Sequence, residues 1–364
     1  MTWVLKAFQY RLYPSKAQSE ALLEMLETCR RLYNRSLAER RDAYEREGKS
    51  LNYYDQANTL REQRMQNQYL ARVNYSATQD VLRRLDKAFQ AFFRRVKAGE
   101  KPGYPRFKVK GRYDSVTFPA YGNGCRLKDG RLYFQHVGRV KLKLHRPLEG
   151  RIKTVTVRRK ADGWYASFVC EVEAVPLPPS DKMCGVDLGL ESFAVTSDGE
   201  FFPAAKYLRK AARNLKRLQR QVSRREKGSN RRKKAVHRLA KAHLHIANQR
   251  KDTAHKVARS LVNRYGLIAV EDLKVGNMLK NHRLAGSISD AGWNLFVNIL
   301  KAKAAEAGRQ VVEVDPRNTS QACSGCGRIV PKPLSERWHT CPACGTSLHR
   351  DVNAAINILR RAAA

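Results

Sequence analysis

Apolar and polar residues alternate over positions 3–13, a stretch rich in β-formers, and predict a first strand that ends at Pro14. The period then changes. Ser15 and Gln18 form a capping box ahead of an apolar stripe at Leu22, Met25, Leu26, Cys29, Leu32 and Leu37, so a helix is predicted up to about Gly48. A second box, Ser76 to Gln79, predicts another helix with a core stripe of Val81, Leu82, Leu85, Phe89, Phe92, Phe93 and Val96, closed by Gly99. From Lys101 to about Val175 the texture becomes turns and short alternating strands, at 131–134, 140–144, 152–158 and 164–173. That pattern predicts an antiparallel sheet or small barrel, with the first strand belonging to it and the helices inserted between. Pro176-Leu-Pro-Pro-Ser180 marks the next boundary.

Beyond it come a strand containing Asp187, a return strand at 192–196 and a Ser197-Asp-Gly-Glu200 turn. Leu208, Ala211, Leu215, Leu218 and Val222 have helical spacing; Gly228-Ser-Asn230 interrupts it, and Val236, Leu239 and Ile246 resume it. This is the signature of a helical hairpin. A strand at 266–273, a helix over about 290–307 capped by Gly308, a strand at 310–314, a cysteine-containing insert and a last helix from Asp351 follow. Alternating strands and helices indicate a mixed α/β sheet.

Charge sharpens this picture. Of 364 residues, 71 are Lys or Arg and 33 Asp or Glu, a net +38, which makes a nucleic-acid polyanion the leading partner. Within 206–251, eighteen basic residues face one acid, Glu226. Phosphate contact is therefore expected at Arg224, Arg225, Arg231, Arg232, Lys233 and Lys234, the alternative being a solvated face. No apolar run reaches the roughly 20 residues that span a bilayer, and residues 1–8 lack a basic n-region and an apolar h-region. A cytoplasmic, nucleoid-associated protein is expected, with Cys29, Cys125, Cys170 and Cys184 as reduced core thiols.

The other four cysteines form a motif. Cys323-Ser-Gly-Cys326-Gly and Cys341-Pro-Ala-Cys344-Gly are separated by fourteen residues, and two such knuckles supply a tetrahedral set of thiolates. Four thiolates leave no open coordination position, so one structural zinc is expected, with His339 a bystander. Paired disulfides or a redox CxxC fit a doubled motif in a reducing compartment poorly.

Three carboxylates stand in apolar or Gly-bounded surroundings: Asp187 in Gly185-Val-Asp-Leu-Gly189, Glu271 in Leu267-Ile-Ala-Val-Glu, and Asp351 in His349-Arg-Asp-Val-Asn. Such acids are expensive to bury without a cation between them. Phosphodiester cleavage needs an activated water and neutralised charge, which two magnesium ions about 4 Å apart can supply. Gly185 and Gly189 are expected to let a substrate backbone approach. Each acid has a local alternative: Asp351 as a helix cap, Glu271 in an ion pair, Asp187 in a turn. Asp272 is expected on the opposite face from Glu271, and Asp315, before Pro316, is expected to close a turn. Spacing alone leaves their convergence open.

The order of these motifs resembles the TnpB (OrfB) family of insertion-sequence RNA-guided nucleases, which is related to the type V CRISPR effectors. The resemblance rests on GVDLGL, the basic hairpin, LIAVEDL, PRNTSQACSGCG, CPACG and HRDVNAAINIL, preceded by YRLYPSKAQ, CRRLYNRSL, LRRLDKAFQAFFRR and GYPRFK. It implies an α/β and β-barrel multidomain fold. Its expected parts are a wedge-type β-barrel at 1–13 and 101–180 and a helical recognition insert at 14–100. A RuvC, RNase H-like nuclease domain is expected at 181–319 and 348–364, with the hairpin at 205–264 and a zinc insert at 320–347. It also implies that Asp187, Glu271 and Asp351 match the family's magnesium (or manganese) triad. The implied partners are a guide RNA from the transposon end and double-stranded target DNA, cut beside a short transposon-associated motif. Motif-reading residues lie in the helical insert, where Tyr54 and Gln79 are candidates. A nuclease-inactive RNA-guided regulator and a transposase acting directly in strand transfer are the rival readings; the three acids argue against the first.

Overall fold

The computed structural model describes residues 2–333 and 335–364; Met1, at the head of the expected barrel segment, and Leu334, inside the expected zinc insert, lie outside the described residues. Leu5–Glu173 make one compact unit, and residues up to Val4 with Ala174–Ala364 make a second.

The first unit joins helices to a curled sheet. Strand β1 (Trp3–Tyr13) leads into helices α1 (Lys16–Glu47), α2 (Tyr53–Gln66), α3 (Gln68–Ala71) and α4 (Tyr75–Lys97). Strands β2 (Ser115–Phe118), β3 (Cys125–Lys128), β4 (Arg131–Phe134), β5 (Gly138–Lys143), β6 (Arg151–Lys160) and β7 (Gly163–Glu173) follow. Their sheet runs β2-β6-β7-β1-β5-β4-β3. Alternation buries Phe8, Tyr10 and Leu12 of β1 and every second residue of β7 from Trp164 to Val172. Phe118 of the end strand β2 and Phe134 of β4, one strand in from the other end, meet with ring centroids 5.4 Å apart, so the sheet bends toward closure.

Helix α1 starts at the Ser15–Gln18 box and stops at Gly48, whose φ of 64° suits glycine. Helix α4 begins earlier than its sequence suggests. Asn74, not Ser76, is the N-cap and accepts from the Ala77 N–H, while the Ser76 hydroxyl donates to Asn74. Its apolar stripe is also shorter than expected: Phe89 is buried, but Phe93 and Val96 are 54% and 50% exposed. Helix α2 buries only Gln56 and Leu60, which is why periodicity does not reveal it. Buried Arg40 fastens it, donating to Gln56 (2.9 Å) and to Asp86 (3.1 Å).

In the second unit, strands β8 (Met183–Asp187), β9 (Ser192–Thr196) and β10 (Phe201–Pro203) form an antiparallel meander. Helices α5 (Tyr207–Ser223) and α6 (Asn230–Arg264) form the hairpin, and β11 (Leu267–Glu271) returns parallel to β8. Short helices α7 (Val275–Met278) and α8 (Ala285–Ala291) precede α9 (Trp293–Glu306), and β12 (Gln310–Val314) lies parallel to β11. The hairpin β13 (Trp338–Thr340) and β14 (Ser347–His349) leads into α10 (Arg350–Ala363). The sheet order is β10-β9-β8-β11-β12.

Helices cover both faces of this sheet. Val186, Ile268 and Val270 pack with Ala258, Leu261, Phe296 and Leu300 of α6 and α9, while Ala269 and Val314 pack with Ile358 of α10. Burial on both faces explains the unbroken apolar run of β11. No helix of the described residues is long and apolar enough to cross a membrane.

Candidate active site and metal centre

Parallel pairing sets Ala269 beside Gly185 and Val270 beside Val186, so the next residues, Asp187 and Glu271, stand side by side at the carboxyl ends of β8 and β11. Val186 and Val270 point to the α6/α9 core, and strand alternation sends the two acids to the α10 face. Helix α10 lies directly on β8 because Gly185 has no side chain. A Cβ there would stand 1.9 Å from the Ala355 carbonyl oxygen and 2.8 Å from the Leu359 nitrogen. From that crossing, Asp351 is four residues along the helix, about 6 Å, and Asp187 is two residues along the strand, about 6.6 Å. Equal travel delivers both to one end of the sheet. The expectation that Gly185 and Gly189 admit substrate is therefore corrected: Gly185 admits α10, and Gly189 closes on the Ser192 carbonyl oxygen, 2.8 Å from its would-be Cβ.

Electrostatics register the convergence. Burial, then the charges of Glu271 and Asp351, hold the Asp187 carboxyl well above its ordinary range, against the Arg350 guanidinium and the Leu188 N–H. Burial also raises Glu271, against the Thr319 hydroxyl and Arg361. Glu271 is 8% exposed, accepts from Thr319 Oγ1 at 2.5 Å and has no ion pair among the described residues. Asp351 is not the helix cap. His349 is, its Nδ1 accepting the Asp351 N–H at 3.2 Å and lying 4.0 Å from the Asp351 carboxylate. Asp272 is exposed, and Asp315 closes a turn by accepting the Arg317 N–H.

The sulfurs are packed more tightly. Cys323, Cys326, Cys341 and Cys344 place their Sγ atoms within 4.8 Å of one another, the tightest such grouping of possible ligands among the described residues. Cys323–Cys344 and Cys326–Cys341 are each 3.6 Å apart, near the ~3.8 Å edge of a tetrahedron with 2.3 Å Zn–S bonds. A disulfide needs about 2.05 Å, so this four-cysteine cluster fits a zinc ion. The Thr346 hydroxyl and N–H lower Cys344 to about 6. Burial raises Cys323, but the Cys326 N–H and His339 bring it down to about 7. The Arg328 N–H lowers Cys326, yet the neighbouring thiols leave it at about 11. His339 stands outside the ligand group, buried beside it.

Two asparagines of the HRDVNAAINIL segment, to which the motif itself assigns no role, join the centres. Asn353 accepts from the Ser324 N–H and donates to the Ala322 carbonyl; Asn357 donates to the carbonyls of Thr319 and Ala322. The first knuckle is thus sewn to α10, which carries Asp351, and to Thr319, which holds Glu271. Their spacing of four on one helix face was the available signal.

Among the basic candidates, Lys233 donates to the Asn230 side chain at the surface, and two arginines are taken up by backbone carbonyls of the hairpin. Arg225 donates to the Arg231 carbonyl, and Arg232 donates to the carbonyls of Val222 and Arg225, closing the α5–α6 turn. Arg224, Arg231, Lys233 and Lys234 are exposed. In the other unit, Tyr54 is 73% exposed on the first turn of α2, and Gln79 is half-buried on α4.

Residues 167–282 match the OrfB_IS605 family model, described as "Probable transposase". Residues 293–358 match the "Cas12f1-like, TNB domain" model. A "Helix-turn-helix domain" model matches residues 1–49, where the structure has β1 and the single long α1. A "Putative RNA-guided DNA endonuclease" of Streptomyces pristinaespiralis is 35% identical, the alignment covering 99% of this chain and 90% of that protein. The "Putative RNA-guided DNA endonuclease InsQ" of Escherichia coli (strain K12) is 33% identical over 98% of this chain and 92% of its own. A solved Cas12f1-sgRNA-target DNA complex superposes with a TM-score of 0.38 at 17% identity, covering 98% of this chain and 99% of that one.

Proposed function

Because this chain belongs to the TnpB (OrfB) family of insertion-sequence RNA-guided nucleases, we propose that it is an RNA-guided, divalent-metal-dependent endonuclease that cuts double-stranded DNA beside a short transposon-associated motif. The observation that carries this reading is the parallel register of β8 and β11, which sets Asp187 and Glu271 side by side at the strand ends, with α10 and its Asp351 seated on Gly185 beside them. A site of that kind fits divalent cations, since hard oxygen ligands gathered in a poorly solvated place need positive charge to stay ionised. Asp187, Glu271 and Asp351 would hold two magnesium or manganese ions. The chemistry supplied by such ions is water activation and neutralisation of the scissile phosphate. The chain's own contribution is placement: Gly185 seats α10, Thr319 orients Glu271, and His349 turns the backbone so that Asp351 faces inward.

The strand order of the second unit, with three antiparallel strands followed by two parallel to the first, supports a RuvC-type, RNase H-like domain over 181–319 and 348–364. The zinc insert at 320–347 braces it. The curled sheet of the first unit supports a wedge barrel (1–13 and 101–180) with a helical recognition insert (14–100). A guide RNA and the target duplex would engage the basic surface, with exposed Arg224, Arg231, Lys233 and Lys234 on phosphates and Tyr54 and Gln79 near the motif duplex.

The test uses the protein purified with its co-transcribed RNA and a matched plasmid. A linear product is expected with magnesium and none with EDTA, and Asp187→Ala should abolish cutting while DNA binding persists. Cutting by Asp187→Ala would overturn the site.

A further inference from the structure

Across the sheet from the carboxylate trio, on the α9 side, a cavity of about 190 Å³ reaches Glu271. It holds far more than the ~10–15 Å³ of one water. Asp272, Glu313, Asn294, Asn298 and Trp293 give it polar walls, while Leu188, Leu273 and Val297 give it apolar ones. Trp293 is 3% exposed, and its indole N–H finds no acceptor among the described residues. A buried N–H without a partner is costly in a native fold and calls for an acceptor that arrives from outside. On the same lining, Asp272 has no ion-pair partner among the described residues, whereas Glu313 is neutralised by Lys301 at 2.6 Å.

These groups define the ligand. The unpaired carboxylate of Asp272 repels a phosphate, and an indole N–H, which can only donate, does not suit a cation. A flat group that accepts at one point of its edge, donates at another and has apolar faces satisfies both sets of walls. We propose that this cavity is a base pocket, taking the nucleobase that flanks the scissile phosphate and favouring bases with an exocyclic amino group (adenine, cytosine, guanine) over thymine. The amino group donates to Asp272, as amino-bearing bases do to acidic side chains, and a ring nitrogen or carbonyl accepts from Trp293. Strand separation leaves such a base unpaired and free to enter. The proposal rests on the reading of Asp187, Glu271 and Asp351 as the cutting centre.

The experiment places each of the four bases, and an abasic tetrahydrofuran, across the cut region of a matched target and maps cuts at nucleotide resolution. Cutting beside an amino-bearing base should exceed that beside thymine or the abasic site by about fivefold to tenfold. Trp293→Phe, which removes the N–H together with part of the ring, should bring that ratio toward one. Asp272→Asn, at an exposed position, provides the same test should Trp293→Phe fold poorly. A wild-type ratio within twofold of one, or a ratio unchanged in the folded variants, overturns the pocket. The preference is also read without cutting, as the relative affinity of Asp187→Ala protein in magnesium-free buffer for single strands carrying guanine, thymine or the abasic unit. Equal affinities overturn the pocket; preferential affinity without any cutting by wild type counts against the carboxylate centre alone.

Discussion

Two groups of side chains in the second unit, the four sulfurs that fit a zinc ion and the three carboxylates proposed as the cutting centre, are assembled in opposite ways. The four sulfurs come from one segment of 22 residues, Cys323 to Cys344, and lie at tetrahedral spacing, with Cys323 and Cys344 eased toward their charged forms. The three carboxylates come from positions 187, 271 and 351, are less tightly gathered, and Asp187 and Glu271 are pushed away from their charged forms. A structural site gains by being ready for its ion, whereas a cutting site must keep room for water and a phosphate. The contrast also has a direction, since Asn353 and Asn357 hang the carboxylate scaffold on the first knuckle.

The largest expected effect tests that direction. Cys323→Ser should remove the bound zinc, forfeiting apparent binding energy on the order of 10 kcal/mol, and expose α10 to hydrogen exchange. Cutting should fall at least tenfold, although no sulfur touches a carboxylate. Asp187→Ala should leave zinc at one per chain by elemental analysis. If the sulfur variant cuts normally, the two centres are independent.

Next in free energy, though read wholly in cutting, is Gly185→Val. With Ala355 and Leu359 backbone atoms in the way, α10 must move, and a displacement near 1 Å at Asp351 should cost about 100-fold in cutting. Zinc content should stay unchanged, since the cysteines remain together; wild-type cutting would mean that α10 does not set the geometry.

A smaller effect separates the centres by pH. An acid whose folded pKa is raised binds more protons folded than unfolded between the ordinary carboxylate range and its raised value, so stability falls as pH rises through that window. Without added magnesium, the melting temperature should therefore climb as pH is lowered from neutrality toward the ordinary range near 4. Asp187→Asn should raise it at neutral pH by roughly 2–4 °C and reduce its pH slope. It should also weaken the stabilisation that magnesium gives the wild type. A slope identical in both proteins would remove Asp187 as its source.

The smallest effect lies outside both centres. Replacing Arg224, Arg231, Lys233 and Lys234 by Gln should flatten the salt dependence of nucleic-acid binding, by up to ~0.9 in log–log slope for every phosphate left without its cation. Arg225→Gln or Arg232→Gln should instead loosen the hairpin turn, seen as faster amide exchange around residues 222–231.

What the chain announces by itself is what neighbours in sequence decide. Strand β1, the Ser15–Gln18 box, the Gly48 stop, strands β4, β9 and β12 and the paired CxxC knuckles are all readable, because dihedral preference, capping and thiolate spacing act over a few residues. Helix α2 escapes because its single buried polar anchor, Gln56, gains meaning only beside Arg40 of α1. The overlong stripe of α4 and the misassigned Ser76 cap show the same limit: alternation marks a helix, but packing decides how far its apolar face is covered. Identifying three unusual acids required only local context. Bringing them together required β8 and β11 to pair in register and α10 to settle on a bare glycine, while Arg225 and Arg232 were claimed by carbonyls that exist only once the turn has formed. Those outcomes depend on long-range contacts, whose loop-closure cost is met cooperatively by the folded core, so they belong to the tertiary structure and not to any local pattern.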